Sequence, residues 1–405
     1  MAARRALGNV LFGAFFLGIF LVTTTDALHF ARAGHRWIVG DWLINYAGGF
    51  VRRGLIGELL QRAQMSWGLP ATYLMAGAAI VAYGTILLGT FALCLRLRKE
   101  AWLVFFLVSP ATFLFPVYSY DGGYRKDALF VAFLVLLVLA SPGPPAHRAL
   151  WFAASVVIPG CAVALVLSHE ALFLYFPYLV AVVRFAFRHD ASLRRTAVVL
   201  SVVAGAVAFV VSVRFHGDAD TARTICTSVR AMVSNSDVCG GAIRAMASSA
   251  GDAYRLVVWR VQHEHYLRVY SMVALLSACP YVIYLASRAA RLRDPAFLGV
   301  VVGVPLSAVL TSLPLFVFAG DWGRFIHLHL MGTLMVVLGH ELHGTSPSMM
   351  PSETATPLRA LSLPLFATLY MVGWKLPHCC AITPHLALME LCRRLHDNFA
   401  EVWRF

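Results

Sequence analysis

The chain has 405 residues, of which 60% are hydrophobic and only 13% charged, against about 45–50% and about 25% in ordinary soluble domains. The apolar residues come in blocks of about 15 to 25, the length a helix needs to cross the hydrocarbon of a bilayer, so a soluble enzyme is excluded. The net charge of +13 comes without a basic tail, an aromatic RNA-binding run or zinc spacing, which excludes nucleic acid as the partner.

In chain order the apolar windows predict an all-α, polytopic transmembrane bundle with spans near 7–25, 70–95, 101–118, 127–141, 149–167, 171–187, 196–214, 269–288, 297–319, 325–340 and 359–374. That makes about eleven, with ten to twelve possible, because the windows at 127 and 325 are short, begin at charged motifs and are open to a re-entrant reading. The first window lacks a good small-residue cleavage site and is expected to span. Residues 1–375 form one transmembrane domain with outer loops at 26–69 and 215–268; 376–405 is a C-terminal tail, and the polar stretch 344–357 a linker.

Basic clusters at Arg4/Arg5, Arg96/Arg98/Lys99, Arg184/Arg188/Arg194/Arg195 and Arg288/Arg291/Arg293 fall on every second connection, which predicts a cytoplasmic N-terminus. The raw count of cations runs the other way, since the 214–268 loop and the tail carry many. Nearly all the mixed-sign motifs fall on the opposite, outer connections, so one face is expected to hold a site.

The first motif is DWLINYAGGFVRRGLIGELLQ from Asp41. Val51, Leu55 and Leu59, with Ile56 and Leu60, recur at helical spacing while Arg52, Arg53, Glu58 and Arg62 occupy the other side, which predicts an amphipathic helix lying at the membrane surface. Its arginines either snorkel to lipid phosphates or hold an anionic lipid-linked substrate. In SYDGGYRKDALF, Asp121, Arg125, Lys126 and Asp127 are compressed before an apolar helix. Asp127 suits a helix N-terminus as well as a site, whereas two cations in so short an outer connection point to phosphate. His169 and Glu170 stand between two spans with almost no loop, where ionisable groups are costly; general base, proton carrier, phosphate ligand and simple ion-pair partner all remain open. Asp321 and Arg324 in GDWGRF are at i, i+3 and pair on one helical face. His327 and His329 fall on different faces, and QHEHY at 262–266 brings its histidines together only in an extended backbone, so no metal is indicated. Eight cysteines include no CxxC, and Cys226 and Cys239 suit a disulfide if their face is oxidising.

Arginines and carboxylates at one mouth of a helical bundle suit a substrate with a phosphate, an apolar tail and a hydroxyl to be deprotonated. The architecture, a first span followed by an outer loop with an acid and a surface helix, resembles the GT-C glycosyltransferases. The phrases DWLINYAGGFVRRGLIGELL, SYDGGYRKDALF, His169–Glu170 and GDWGRF are similar to multipass proteins of polysaccharide clusters, Wzy-type polymerases included. The resemblance implies a polyprenyl-(pyro)phosphate-linked sugar donor, a glycan or glycolipid acceptor, and a bacterial inner membrane with the active face outside. No cofactor is required and a divalent metal is optional. It makes Asp41 the base, with Glu58 its rival since the loop lacks the adjacent acidic pair of many GT-C members, and gives His169 and Glu170 catalytic parts. Arg52, Arg53, Asp121, Arg125, Lys126, Asp127, Asp321 and Arg324 then bind substrate. The competing class is a transporter or flippase for an anionic or lipid-linked solute, whose ionisable groups should line a path at mid-membrane; an outer-face acyl or phosphoryl transferase using His169 is a third.

Overall fold

A computed structural model describes residues 2–97, 100–140, 147–233, 235–343 and 357–379. These residues are helical with no strand among them, as a chain in hydrocarbon requires when its backbone groups must be satisfied within each segment. The expected linker and most of the expected C-terminal tail lie outside the described residues.

The helices are α1 (Ala2–Ala33), α2 (Ile38–Trp42), α3 (Gly54–Trp67), α4 (Ala71–Arg96), α5 (Ala101–Leu107), α6 (Asp127–Leu139), α7 (Ile158–Ser168), α8 (Phe176–Ala186), α9 (Ala191–Arg214), α10 (Ala219–Arg230), α11 (Ala250–His263), α12 (Tyr266–Ser287), α13 (Val304–Phe318), α14 (Trp322–His343) and α15 (Pro357–Val372). Seven stretches are long and apolar enough to cross a membrane: Gly8–Ala33, Ala71–Arg96, Arg148–Ser168, Ala191–Arg214, Tyr266–Ser287, Pro295–Phe318 and Trp322–His343.

The other four expected spans are shorter. The 101–118 window stops at Leu107 and resumes as a single turn at Phe115–Tyr118, because Pro110 and Pro116 cannot continue a helix. The 171–187 window begins with a 3-10 turn, Glu170–Tyr175, before α8 at Pro177. Helix α6 has 13 residues and α15 has 16 with Pro364 inside. The window at 325 is the reverse case: α14 runs for 22 residues and is long and apolar enough to cross a membrane.

Helix α14 is the hub, buried along nearly all of its length and packed against α6, α8, α12 and α13. Gly332 faces the Tyr178 ring so closely that a Cβ would collide with it, the small-residue device by which membrane helices approach. Outward rows such as Val199, Val203, Val207 and Val210 on α9 and Leu306, Leu310, Leu313 and Val317 on α13 are exposed, a lipid-facing surface.

At the end where α1 starts and α14 finishes, buried Arg288 is clasped by Glu100 at 2.8 Å and by Glu341 at 3.0 Å. The charged motifs read from the sequence gather at the opposite end.

Candidate functional site: a buried charge cluster at one end of the bundle

Helix α1 ends in a turn at Gly34 with φ +60, and the following α2 is buried throughout, carrying Asp41 at 1% exposure. The Trp42 indole donates to the Tyr124 carbonyl at 2.9 Å, tying α2 to the 119–126 segment. Beyond it Tyr46 N–H donates to Glu58 at 3.2 Å and Glu58 accepts from Arg62 at 2.8 Å. Glu58, the expected rival base, is thus engaged by Tyr46 and Arg62. Helix α3 starts at Gly54, later than the sequence periodicity predicts, so Arg52 and Arg53 precede the helix and are not on its polar face. Leu59, Met65 and Trp67 are exposed on it, in keeping with a surface helix.

Arg53 adopts the left-handed conformation at φ 65, a state costing roughly 1–2 kcal/mol for a residue with a Cβ. The turn aims its guanidinium inward, where Nε donates to Glu170 Oε2 at 2.9 Å and Nη2 to Oε1 at 2.7 Å. Arg52 stands 3.5 Å from the same carboxylate. Asp41 lies 4.0 Å from Arg53 Nη1, and both of its oxygens are buried without a hydrogen-bond partner among the described residues. Lys126, fully buried, donates to the Arg53 carbonyl at 2.8 Å, which fixes that strained turn from the α6 side.

Arg324, at the first turn of α14, joins three elements. Its Nε is 2.8 Å from Asp127 Oδ2, in ion-pair contact without hydrogen-bond alignment, and its Nη1 is 2.9 Å from Asp321. Its Nη2 donates to His169 Nε2 at 3.1 Å; since arginine only donates, that imidazole nitrogen carries a lone pair. His169 Nδ1 has no partner among the described residues, and its Nε2 is 3.9 Å from Asp127 Oδ1. Asp127 makes no capping hydrogen bond, so its carboxylate serves the cluster and leaves the helix end uncapped.

The rim is more open. Arg125 donates to the Trp37 carbonyl at 2.6 Å, and His35 Nε2 is 3.2 Å from Asp121. His378, on the stretch after α15, packs its Cβ against Gly122, while its carbonyl accepts from Gly323 N–H at 3.2 Å. A cavity of about 20 Å³ bounded by Tyr83, Asp127, Arg324 and His327 and otherwise largely apolar lies beneath the cluster, room for about one water.

Burial and charge oppose each other here. For Asp41, burial pushes the carboxyl up, but Lys126, Arg125 and Arg53 outweigh it and hold it below the usual range. For Glu170, burial is likewise overcome by the charge and hydrogen bonds of Arg53, and its carboxyl falls well below the usual range. Burial lowers Lys126 to about 8 despite Asp41, and burial followed by Arg53 lowers His169 to about 4. Asp321 is held at about 2, where Arg324 and Arg125 overcome its burial.

All eleven residues singled out in the sequence, from Asp41 to Arg324, therefore meet at one end of the bundle, Asp121 and Arg52 at the rim. His327 and His329 part as expected: the first donates to the Ala111 carbonyl at 2.9 Å, the second contacts Ser312 at 2.8 Å and Tyr178 at 3.1 Å. Sequence reading missed Asp26, whose carboxylate accepts from Tyr124 at 2.7 Å; an acid at the end of an apolar window was its signal. His35 and His378 had none. Asp321, His378 and Cys379 have metal-ligand spacing, but Cys379 is disulfide-bonded, which takes its thiolate out of the set. Cys226 and Cys239 form a disulfide in the 215–268 loop.

The family model described as uncharacterised membrane protein Rv1490 matches residues 11–243, and the chain belongs to that family. No curated protein and no solved structure matches it.

Proposed function

We propose that this membrane protein is a glycosyltransferase that takes a polyprenyl-(pyro)phosphate-linked sugar at the outer face of a bacterial inner membrane and passes it to a glycan or glycolipid of the envelope. The observation that carries the reading is the meeting of Asp41, Arg53, Lys126, Asp127, His169, Glu170 and Arg324 from separate elements at one end of the bundle. Arginines are suited to the phosphate oxygens and to the charge that grows on the leaving phosphate. Asp41, kept ionised yet without a hydrogen bond, is suited to accept the proton of an attacking hydroxyl. Lys126 is spent on a backbone carbonyl, so its part is electrostatic. The cavity admits about one water, so the donor headgroup enters from the rim, where Arg52 and Asp121 are partly exposed.

The disulfide of the 215–268 loop and the disulfide-bonded Cys379 both belong to the cluster's end of the bundle, which supports an oxidising compartment on that side. A transport path is less well supported: at mid-depth His329 has both nitrogens engaged, and the far end is closed by Arg288 between Glu100 and Glu341. The test is sugar transfer by protein purified in nanodiscs and supplied with polyprenyl-phosphate sugars and envelope glycan. Transfer is expected from the wild type and not from Asp41→Asn; a folded wild type inert toward every such donor refutes the assignment.

A further inference from the structure

The inner cations are already engaged before any ligand arrives. Arg53, Arg125, Lys126 and Arg324 share the cluster with Asp41, Asp127, Glu170 and Asp321, and Arg52 stands 3.5 Å from Glu170, which Arg53 already holds. A phosphate brought in here adds a negative charge to a poorly hydrated region whose inner cations already hold carboxylates or backbone carbonyls, and an uncompensated buried charge is expensive. A further positive charge would offset it.

The group built to do so is His169. Its side chain is 2% exposed, its Nε2 lone pair is held by Arg324, and its Nδ1 has no partner. The charged and titratable groups around it come from every neighbouring element: Asp127 on α6, Arg324 on α14, Arg53 and Asp41 from the first outer loop, Glu170 beside it in the chain, and Tyr175 one turn on. While Arg324 donates to Nε2, a proton there is excluded. A phosphate that draws the guanidinium away exposes Nε2 next to Asp127, whose two oxygens lack a hydrogen-bond donor. The protonated ring then supplies both a charge and a donor.

We infer that this site binds its phosphate together with one proton, taken up by His169 as Arg324 turns from the imidazole to the ligand. The proton comes from bulk solvent and bonds to Nε2; no other bond is made or broken. The inference rests on the phosphate-binding reading above. Burial and Arg53 hold the empty site's imidazole down to about 4, so uptake is expected between that value and the higher one reached with ligand bound. Affinity should fall about tenfold per pH unit across that window, the linkage of a single proton.

The experiment is titration calorimetry of the full chain in nanodiscs with farnesyl-phosphoryl glucose, a phosphodiester whose single charge does not titrate near neutrality. Run at pH 6.5 in two buffers of different ionisation enthalpy, it counts protons directly. One proton taken up by the wild type, with none and a flat pH profile in His169→Gln, supports the proposal. Binding without uptake overturns it while leaving the phosphate reading intact, and uptake that survives in His169→Gln but is lost in Asp41→Asn assigns the proton elsewhere and overturns it as well. No binding by a folded wild type removes both. Methyl-phosphoryl glucose, which lacks the tail, distinguishes recognition of the phosphate alone from recognition of a lipid. Should His169→Gln fail to fold, the wild-type proton count still decides, since a count of zero sinks the idea unaided.

Discussion

Arg53 grips Glu170 with two nitrogens at 2.9 and 2.7 Å across 117 residues of sequence. It does so from a left-handed backbone at φ 65, so a locally unfavourable turn is kept by a contact that exists only in the folded bundle. The pair joins the stretch between α2 and α3 to the end of α7, and Lys126 and Arg324 are arranged around it.

Removing one partner should cost about 2–4 kcal/mol, because it strands a charge in a poorly hydrated site. Arg53→Ala and Glu170→Gln should each lower the thermal midpoint in detergent, and the double variant should recover part of the loss. Arg53→Gly separates the backbone from the side chain: it relieves the left-handed strain yet should still be less stable than wild type. A midpoint for it above wild type would show that the ion pair contributes little.

Asp41→Asn should reduce sugar transfer by at least about a hundredfold, the usual span for losing a general base, and should also lower the midpoint somewhat, since Lys126, Arg125 and Arg53 lose its counter-charge. Retained turnover would move the base to another carboxylate, Asp127 being the next with unpartnered oxygens.

The close seat of α3 is the target of a third change. A Cβ on Gly57 would run into the Ile44 carbonyl, so Gly57→Val should push α3 off the 43–46 segment at a cost of about 1–3 kcal/mol. The mirror case, Gly49→Ala, meets no neighbour in space; its left-handed φ of +94 makes it strained by backbone alone, and it should leave α3 in place. Thermal midpoints of the two, with cysteine crosslinking between 46 and 58, which lie in contact across the same seam, check this.

Acid should weaken the fold through several groups, His169 and Glu170 among them. His169, lowered to about 4 by burial and Arg53, resists a proton that the unfolded chain accepts near 6.5, so stability is lost as pH falls from about 6.5 towards 4, up to about 3 kcal/mol. Glu170, held well below the usual range by Arg53, adds stability that is present above the ordinary carboxylate pKa and lost as pH falls below it. The midpoint of wild type should therefore drop between pH 7 and 5, that of His169→Gln should drop less, since His35 and His378, also lowered by burial, remain, and both should drop further below 4.

The Cys226–Cys239 bridge reports on sidedness. In intact cells, a membrane-impermeant reductant followed by an impermeant maleimide should label both thiols. Labelling only after lysis would place the cluster on the cytoplasmic side and remove the outer-face assignment. Loss of the bridge in Cys226→Ser should destabilise the loop by about 3 kcal/mol.

By itself the sequence determined that the chain is a bundle of membrane helices and that its mixed-sign motifs gather at one end. Both follow from local quantities, the length of an apolar run and the sign of the residues at its ends. The Asp321–Arg324 pair was legible for the same reason, being one turn apart on a single helix. Which runs truly span was less so, because proline at 110, 116 and 177 shortens helices whose hydropathy looks continuous. Only the tertiary structure decided that Arg53 belongs to Glu170, that Arg324 touches both Asp127 and His169, and that Asp41 is left without a donor. Such pairings depend on how helices far apart in the chain are turned and seated against α14, and hydropathy, which counts how greasy a segment is, carries no information about which way its few charges point.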